Sequence, residues 1–233
     1  MAMQLEKVVP FGRSLAEYRK MFNLTIEELK LNILGVGDGP TSFNAELTAQ
    51  GGTVTSVDPI YAFDATEIRT RFEAVVDNII EQIKQTPQDW VWSHHASPEA
   101  LRASREHTLR LFVEDYDRLI SSTRYVTGEL PALPFADGQF DLALCSHFLF
   151  LYSDHLSLEF HQRSIEEMLR VAREIRIFPL LTLMLERSPY LKPLQNELLA
   201  RGYVADIQPV SYELQKGGNE MLVVKRSPNR SLA

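Results

Sequence analysis

Apolar and polar positions along this chain follow two periods. Short runs dense in Ile, Leu and Val stand at 33–36, 54–57, 140–148 and 175–180. Between them lie longer segments whose apolar residues recur every three to four positions. The short runs predict strands, and the nearly uninterrupted run at 140–148 predicts one buried on both faces, as in a parallel sheet. The longer segments predict helices with one apolar stripe. Ser14 and Glu17 form a capping box before Leu15, Tyr18 and Phe22, and 25–29 reads as a second short turn. Asp64 and Glu67 open the next helix, striped by Ile68, Phe72, Val75, Ile79 and Ile83. Another begins at Ser97-Pro98 and carries Leu101, Leu109, Phe112, Tyr116 and Leu119. Helices are also expected over 157–172, on Ile165, Met168, Leu169 and Ala172, and over 189–201, stopped by Gly202.

Alternating strands and helices predict an α/β fold on a mostly parallel sheet. Two features modify it. Residues 61–121 are too long for a single crossover, so they are expected to form a helical cap over the carboxyl ends of the first and fourth strands. The third strand then falls at 124–129. At the other end, 204–214 and 220–225 flank the turn 215–219 and predict an antiparallel closing hairpin. The expected organisation is one domain over 1–226, with a flexible tail at 227–233.

The stretch 33–59 carries the first sign of chemistry. An apolar run enters the turn Gly35-Val36-Gly37-Asp38-Gly39-Pro40, a helix with Phe43 and Leu47 on one face follows, and a second run ends at Val57-Asp58-Pro59. This is the strand, loop, helix, strand and acid layout of a nucleoside-binding half-domain. Gly35, Gly37 and Gly39 suit positive φ and close approach to a ligand. Pro40 suits the first helical position. Asp58 stands where a carboxylate is expected to accept hydrogen bonds from ribose hydroxyls. A dinucleotide loop has glycine at its sixth position, where this chain has Pro40. The acid Asp38 would also repel a pyrophosphate but favours a sulfonium or ammonium. S-adenosylmethionine fits that preference better than a dinucleotide.

Leu34-Gly35-Val36-Gly37-Asp38-Gly39, Val57-Asp58-Pro59 and the run from Leu133-Pro134-Phe135 through Ala136-Asp137-Gly138-Gln139 to Phe140-Asp141 resemble the successive motifs of class I S-adenosylmethionine-dependent methyltransferases of the bacterial, small-molecule type. The resemblance extends over about residues 14 to 225. It implies a Rossmann-like sandwich with a mostly parallel seven-stranded sheet, an antiparallel last strand and a helical insertion between strands 2 and 3. It also implies S-adenosylmethionine as cofactor. Gly35, Val36, Gly37 and Gly39 would pass under it, Asp58 and Pro59 would meet the ribose, Glu129 and Leu130 the adenine, and Ser146 and His147 would line the end of the fourth strand. The leading helix often closes over the cofactor in this family, which would make Tyr18 a lid contact; packing on the sheet is its other role. The family usually has a Pro-Gly-Gly-type turn before the fifth strand, but Arg173-Glu174 stands here. That departure touches the substrate side.

Charge and composition narrow the partners. The chain has 233 residues and a net charge of −7, against a broad nucleic-acid or membrane surface. A lone Cys145 excludes an internal disulfide, and the first residues have no secretory apolar core. A cytoplasmic protein acting on a small molecule is expected. His147 is the candidate general base, because an imidazole titrates near neutral pH; a structural hydrogen bond is its alternative. Ser146 reads as a polar liner. His94 and His95 are adjacent and would point apart, with no carboxylate at ligand spacing, so no metal is expected. Trp90 and Trp92 suit either cap packing or an aromatic pocket. Two functions follow: a methyltransferase of undefined substrate, or a non-catalytic protein that binds the cofactor or its product for regulation.

Overall fold

The computed structural model describes residues 3–5, 7–118 and 123–227. Leu119 and the tail at 228–233 lie outside the described residues. Seven strands form one sheet in the order β3-β2-β1-β4-β5-β7-β6. They are β1 (Asn32–Val36), β2 (Thr53–Val57), β3 (Tyr125–Val126), β4 (Phe140–Ser146), β5 (Ala172–Phe178), β6 (Tyr203–Pro209) and β7 (Glu220–Arg226). The first five pair in parallel, and β7 runs antiparallel to both β5 and β6. The α/β class, the seven strands and the reversed last strand are those the sequence led us to expect.

Side chains alternate across the middle of this sheet, as period-2 geometry requires. Ile33, Leu142, Leu144 and Val223 face one core; Leu34, Ala143, Cys145 and Leu222 face the other. The first core is covered by α1 (Leu15–Met21), α2 (Phe43–Ala49), α3 (Ala65–Gln85) and α4 (Pro98–Arg118). The second is covered by α5 (Leu158–Val171) and α6 (Leu191–Ala200). Burying each Leu, Ile or Phe contributes about 1.5–3 kcal/mol, so both faces of the central strands hold the layers together. Capping boxes at Ser14–Glu17 and Asp64–Glu67 start α1 and α3 as their sequences predict. Among the described residues no helix is long and apolar enough to cross a membrane.

Several boundaries move, each for a local reason. Pro40 is not the first helical residue, because α2 starts at Phe43 behind Ser42. Gly35 lies within β1 and lacks the positive φ expected of it; only Gly37 (63°) and Gly39 (57°) have it. The third strand shrinks to two residues ahead of Gly128 and Pro131. The fourth ends at Ser146, because His147 turns to a φ of 52°. The fifth begins at Ala172 directly from α5, so Arg173 and Glu174 belong to the strand and no turn precedes it. The hairpin partner of β7 stops at Pro209, and 210–219 leaves the sheet. Val91 N–H then donates to Leu214 C=O at 2.8 Å and Lys216 N–H to Asp89 C=O at 3.0 Å, which ties that loop to the segment between α3 and α4.

Candidate active site

A cavity of about 360 Å³ opens at the carboxyl ends of β1, β2 and β4. Ligands of open parallel sheets bind at that edge. Gly37, Gly39, Asp58 and Pro59 line one side of it, with Ser146 and His147 from the end of β4. A second cavity of about 290 Å³ shares Gly37, Asp58 and Pro59 with the first and continues past Val36, Glu129 and Leu130. The two spaces thus meet at Asp58.

Gly35 stands apart from both. A Cβ placed there would lie 1.9 Å from the Asp38 carboxylate. Its small size makes room for Asp38. Asp38 in turn accepts hydrogen bonds from Tyr18 Oη at 2.5 Å and Ser56 Oγ at 2.6 Å. Tyr18 is buried and stacks on Phe43 at 4.3 Å, so it both packs and borders the cavity. At Gly39, by contrast, an added Cβ would meet nothing within 4 Å. The loop is open there.

Asp58 spans the loop and the following turn. Its Oδ2 accepts the Gly39 N–H and its Oδ1 the Ile60 N–H, each at 2.8 Å. Each oxygen keeps a further lone pair toward the cavities. Burial pushes both Asp58 and Asp38 up to about 6, and their mutual repulsion adds to the effect on Asp38.

The imidazole of His147 is shifted away from the range its sequence position suggests. Burial holds its imidazole well below the ordinary range, and the cations of Arg13 and Arg105 push the same way. The shift favours the neutral imidazole. Its Nδ1 lies 2.9 Å from Ser146 Oγ, and its backbone N–H donates to Phe178 C=O at 2.6 Å. A non-glycine residue at positive φ stores strain of a kind that collects at functional sites.

The N-terminal segment supplies lining residues that no spacing rule singles out. A Cβ at Gly12 would sit 2.1 Å from Pro40 C=O, and Ser42 N–H donates to Arg13 C=O at 3.1 Å. The segment is thereby pressed across the glycine loop, which puts Phe11 and Arg13 on the cavity wall. Of the two long helices between β2 and β3, α3 reaches this cavity through Arg71, Ala74 and Val75, whereas α4 packs beside α2 and does not line it.

The histidine pair also differs from expectation. The rings are 4.7 Å apart, and α1 supplies a carboxylate to them from far away in sequence: His95 Nε2 lies 3.2 Å from Glu17 Oε1. Glu17, His94 and His95 bring ligand-type atoms within 4.8 Å of one another. Glu17, however, already receives both Arg105 Nη groups at 2.7 and 2.8 Å and Tyr212 Oη at 2.9 Å. The guanidinium occupies the position of positive charge. Trp90 is buried and donates to Thr86 Oγ1 at 3.0 Å, which is a packing role. Cys145 is buried in β4 and its thiol is pushed up to about 12 by desolvation.

Comparison with known proteins adds the following. Residues 90–175 match the family model of a methyltransferase domain. The uncharacterized protein MJ0045 of Methanocaldococcus jannaschii is 35% identical over 225 residues, 96% of this chain and 99% of that protein. Magnesium protoporphyrin IX methyltransferase from Synechocystis, solved with bound S-adenosylmethionine, is 15% identical, with 86% of this chain and 73% of that one covered at a TM-score of 0.44. A SAM-dependent methyltransferase from Aquifex aeolicus is 13% identical over 89% and 90% of the two chains, with a TM-score of 0.42. The chain belongs to the family of the MJ0045 protein, and its sheet is that of the class I S-adenosylmethionine-dependent methyltransferase fold.

Proposed function

We propose that the protein is an S-adenosylmethionine-dependent methyltransferase acting on a small molecule. One observation carries the reading: two cavities meet at a strand-end carboxylate whose oxygens keep free lone pairs. The smaller suits an adenine, against Leu130, Leu133 and Phe148, with Glu129 at its edge. Asp58 would accept the ribose hydroxyls, and the bare backbone at Gly37 and Gly39 would pass beneath the methionine part. The larger cavity leaves room beyond the cofactor for an acceptor, which favours an enzyme over a protein that only holds the cofactor.

When bound, the cofactor supplies an electrophilic methyl group on a sulfonium. Asp58 and the backbone at Gly37 and Gly39 would hold that group, and its departure as a neutral thioether would need no acid from the protein. The chain therefore has to orient and desolvate, which can lower a barrier by roughly 7–11 kcal/mol. The walls of Phe11, Phe63 and Val75 exclude water from the acceptor's side. His147, in the tautomer that donates from Nδ1 to Ser146, keeps Nε2 as an acceptor for a proton released by the substrate.

Gly37→Val tests the loop. The position has positive φ, and the new Cβ would meet the Phe148 ring at 3.3 Å. Binding of S-adenosylhomocysteine, measured by calorimetry, should be abolished. Retained binding with an unchanged melting temperature would overturn the assignment.

A further inference from the structure

Lys7 and Arg13 reach the larger cavity from the N-terminal segment, and Arg71 reaches it from α3. The chain as a whole is acidic, with net charge −7. Yet among the described residues none of these three cations forms an ion pair. The acids of the same cavity, Asp38 and Asp58, are engaged instead by Tyr18, Ser56 and two backbone N–H groups.

Arg13 is the inner member. Its Nη1 donates to Phe11 C=O, but its Nε is buried and has no hydrogen-bond partner. Burial and the neighbouring Arg105 cation lower its pKa to about 10, so it remains charged at pH 7. A half-buried guanidinium beside a second cation, with a buried donor left open, is costly until an anion arrives. Arg71 sits 3.7 Å over the Phe63 ring at the mouth. Beside these charges the wall is apolar. A narrow apolar cleft continues past Phe11 and Arg13 between Ile79, Ile83 and Leu183.

We propose, on the methyltransferase reading of this cavity, that the methyl acceptor is a small molecule with an apolar body and an anionic group, carboxylate or phosphate. Arg13, Arg71 and Lys7 hold the anionic group, and the apolar body lies against Phe11 and Val75.

The test uses the full chain saturated with S-adenosylhomocysteine, so that the cofactor's own carboxylate already has its partner. Phenylacetate, phenyl phosphate, benzyl alcohol and 2-phenylethylamine are titrated by ligand-observed NMR. Both anions, or one of them, should bind about tenfold more tightly than the alcohol, and the amine more weakly still. The tighter anion identifies the acceptor's group. R13Q should erase the preference, and R71Q, at an exposed position, should reduce it about threefold. Both variants should keep the affinity for S-adenosylhomocysteine. Equal binding of anion and alcohol would overturn the proposal. So would an R13Q variant that loses S-adenosylhomocysteine affinity while R71Q leaves the anion preference intact, because Arg13 would then serve the cofactor. A wild-type protein that binds no S-adenosylhomocysteine in calorimetry would instead overturn the methyltransferase reading on which this rests.

Discussion

Adjacent residues of α1 serve two groups of buried acids, and the two groups are built differently. Glu17 points to Arg105, His95 and Tyr212, which between them satisfy both carboxylate oxygens. Tyr18 points to Asp38, whose partners are hydroxyls, with Asp58 nearby bonded to backbone N–H groups. The first group has a buried counter-cation and lines neither of the two joined cavities. The second has no counter-cation and borders open space. Their pKa directions follow. Burial alone would raise Glu17, but the guanidinium overrides it and holds the acid well below its ordinary value. Burial wins at Asp38 and Asp58, both raised to about 6. A paired buried acid holds elements together. An unpaired one at a cavity is a place for a ligand to complete.

The largest effect expected from this comparison is at Arg105. Arg105→Met leaves Glu17 buried and uncompensated, and breaking such a pair costs about 3–5 kcal/mol. Three segments should loosen together, because Glu17 joins α1 to α4 and to the loop carrying Tyr212. Urea denaturation measures it. A loss below about 1 kcal/mol would mean that the pair behaves like a surface salt bridge and that the contrast is empty.

Asp58→Ala comes next. Hydrogen bonds to a charged group contribute about 1.5–3 kcal/mol, so S-adenosylhomocysteine should bind roughly 10- to 100-fold more weakly. The apo protein should also lose some stability, because the Gly39 and Ile60 N–H groups lose their acceptor. A melting curve that drops with no change in affinity would reduce Asp58 to a turn cap. Wild-type affinity should itself depend on pH. Hydroxyl donors favour the ionised carboxylate, and with a pKa of about 6 the ionised fraction grows. Binding should strengthen about tenfold between pH 5 and pH 7 and level off above. Calorimetry at three pH values decides it, and affinity that falls as pH rises would contradict the assigned polarity.

Much of this arrangement was readable in the chain before any coordinates. Both capping boxes, the central strands, the reversed last strand and the placement of Asp58 follow from local spacing. What local spacing could not reveal is side-chain pairing across long separations. Glu17 looked like a capping residue, and it is one, but its Arg105 partner lies 88 residues on and its Tyr212 partner 195. Gly35 looked like a ligand-facing glycine because its motif is shared with its neighbours; only the position of the Asp38 side chain shows what its missing Cβ makes room for. Residues 7–13 have no period at all. Their place on the cavity comes from backbone contact with Pro40 and Ser42, which no pattern in their own sequence announces.

The smallest expected effect is the most discriminating, because it probes each group with the same chemical change. Tyr18→Phe removes one hydroxyl donor from Asp38, and Tyr212→Phe removes one from Glu17. Both rings are buried and both keep their packing, so each change should cost about 1.5 kcal/mol at pH 8, the low end for a hydrogen bond to a charged group. The costs should separate on acidification. Asp38 has a folded-state pKa raised above its unfolded value, so its charge destabilises the fold, and that penalty develops as pH rises from about 4 through 6. The Tyr18 hydroxyl offsets part of the penalty only while Asp38 is ionised. At pH 5 Asp38 is mostly protonated and Tyr18→Phe should cost clearly less. Glu17 has a depressed folded-state pKa, so its stabilisation is complete above its unfolded value and is lost only as pH falls well below 4.5. Tyr212→Phe should therefore cost the same at pH 5 as at pH 8. Urea denaturation of both variants at the two pH values gives four numbers. Equal pH dependence for the two tyrosines would show that the two groups of acids are electrostatically alike, whatever their geometry.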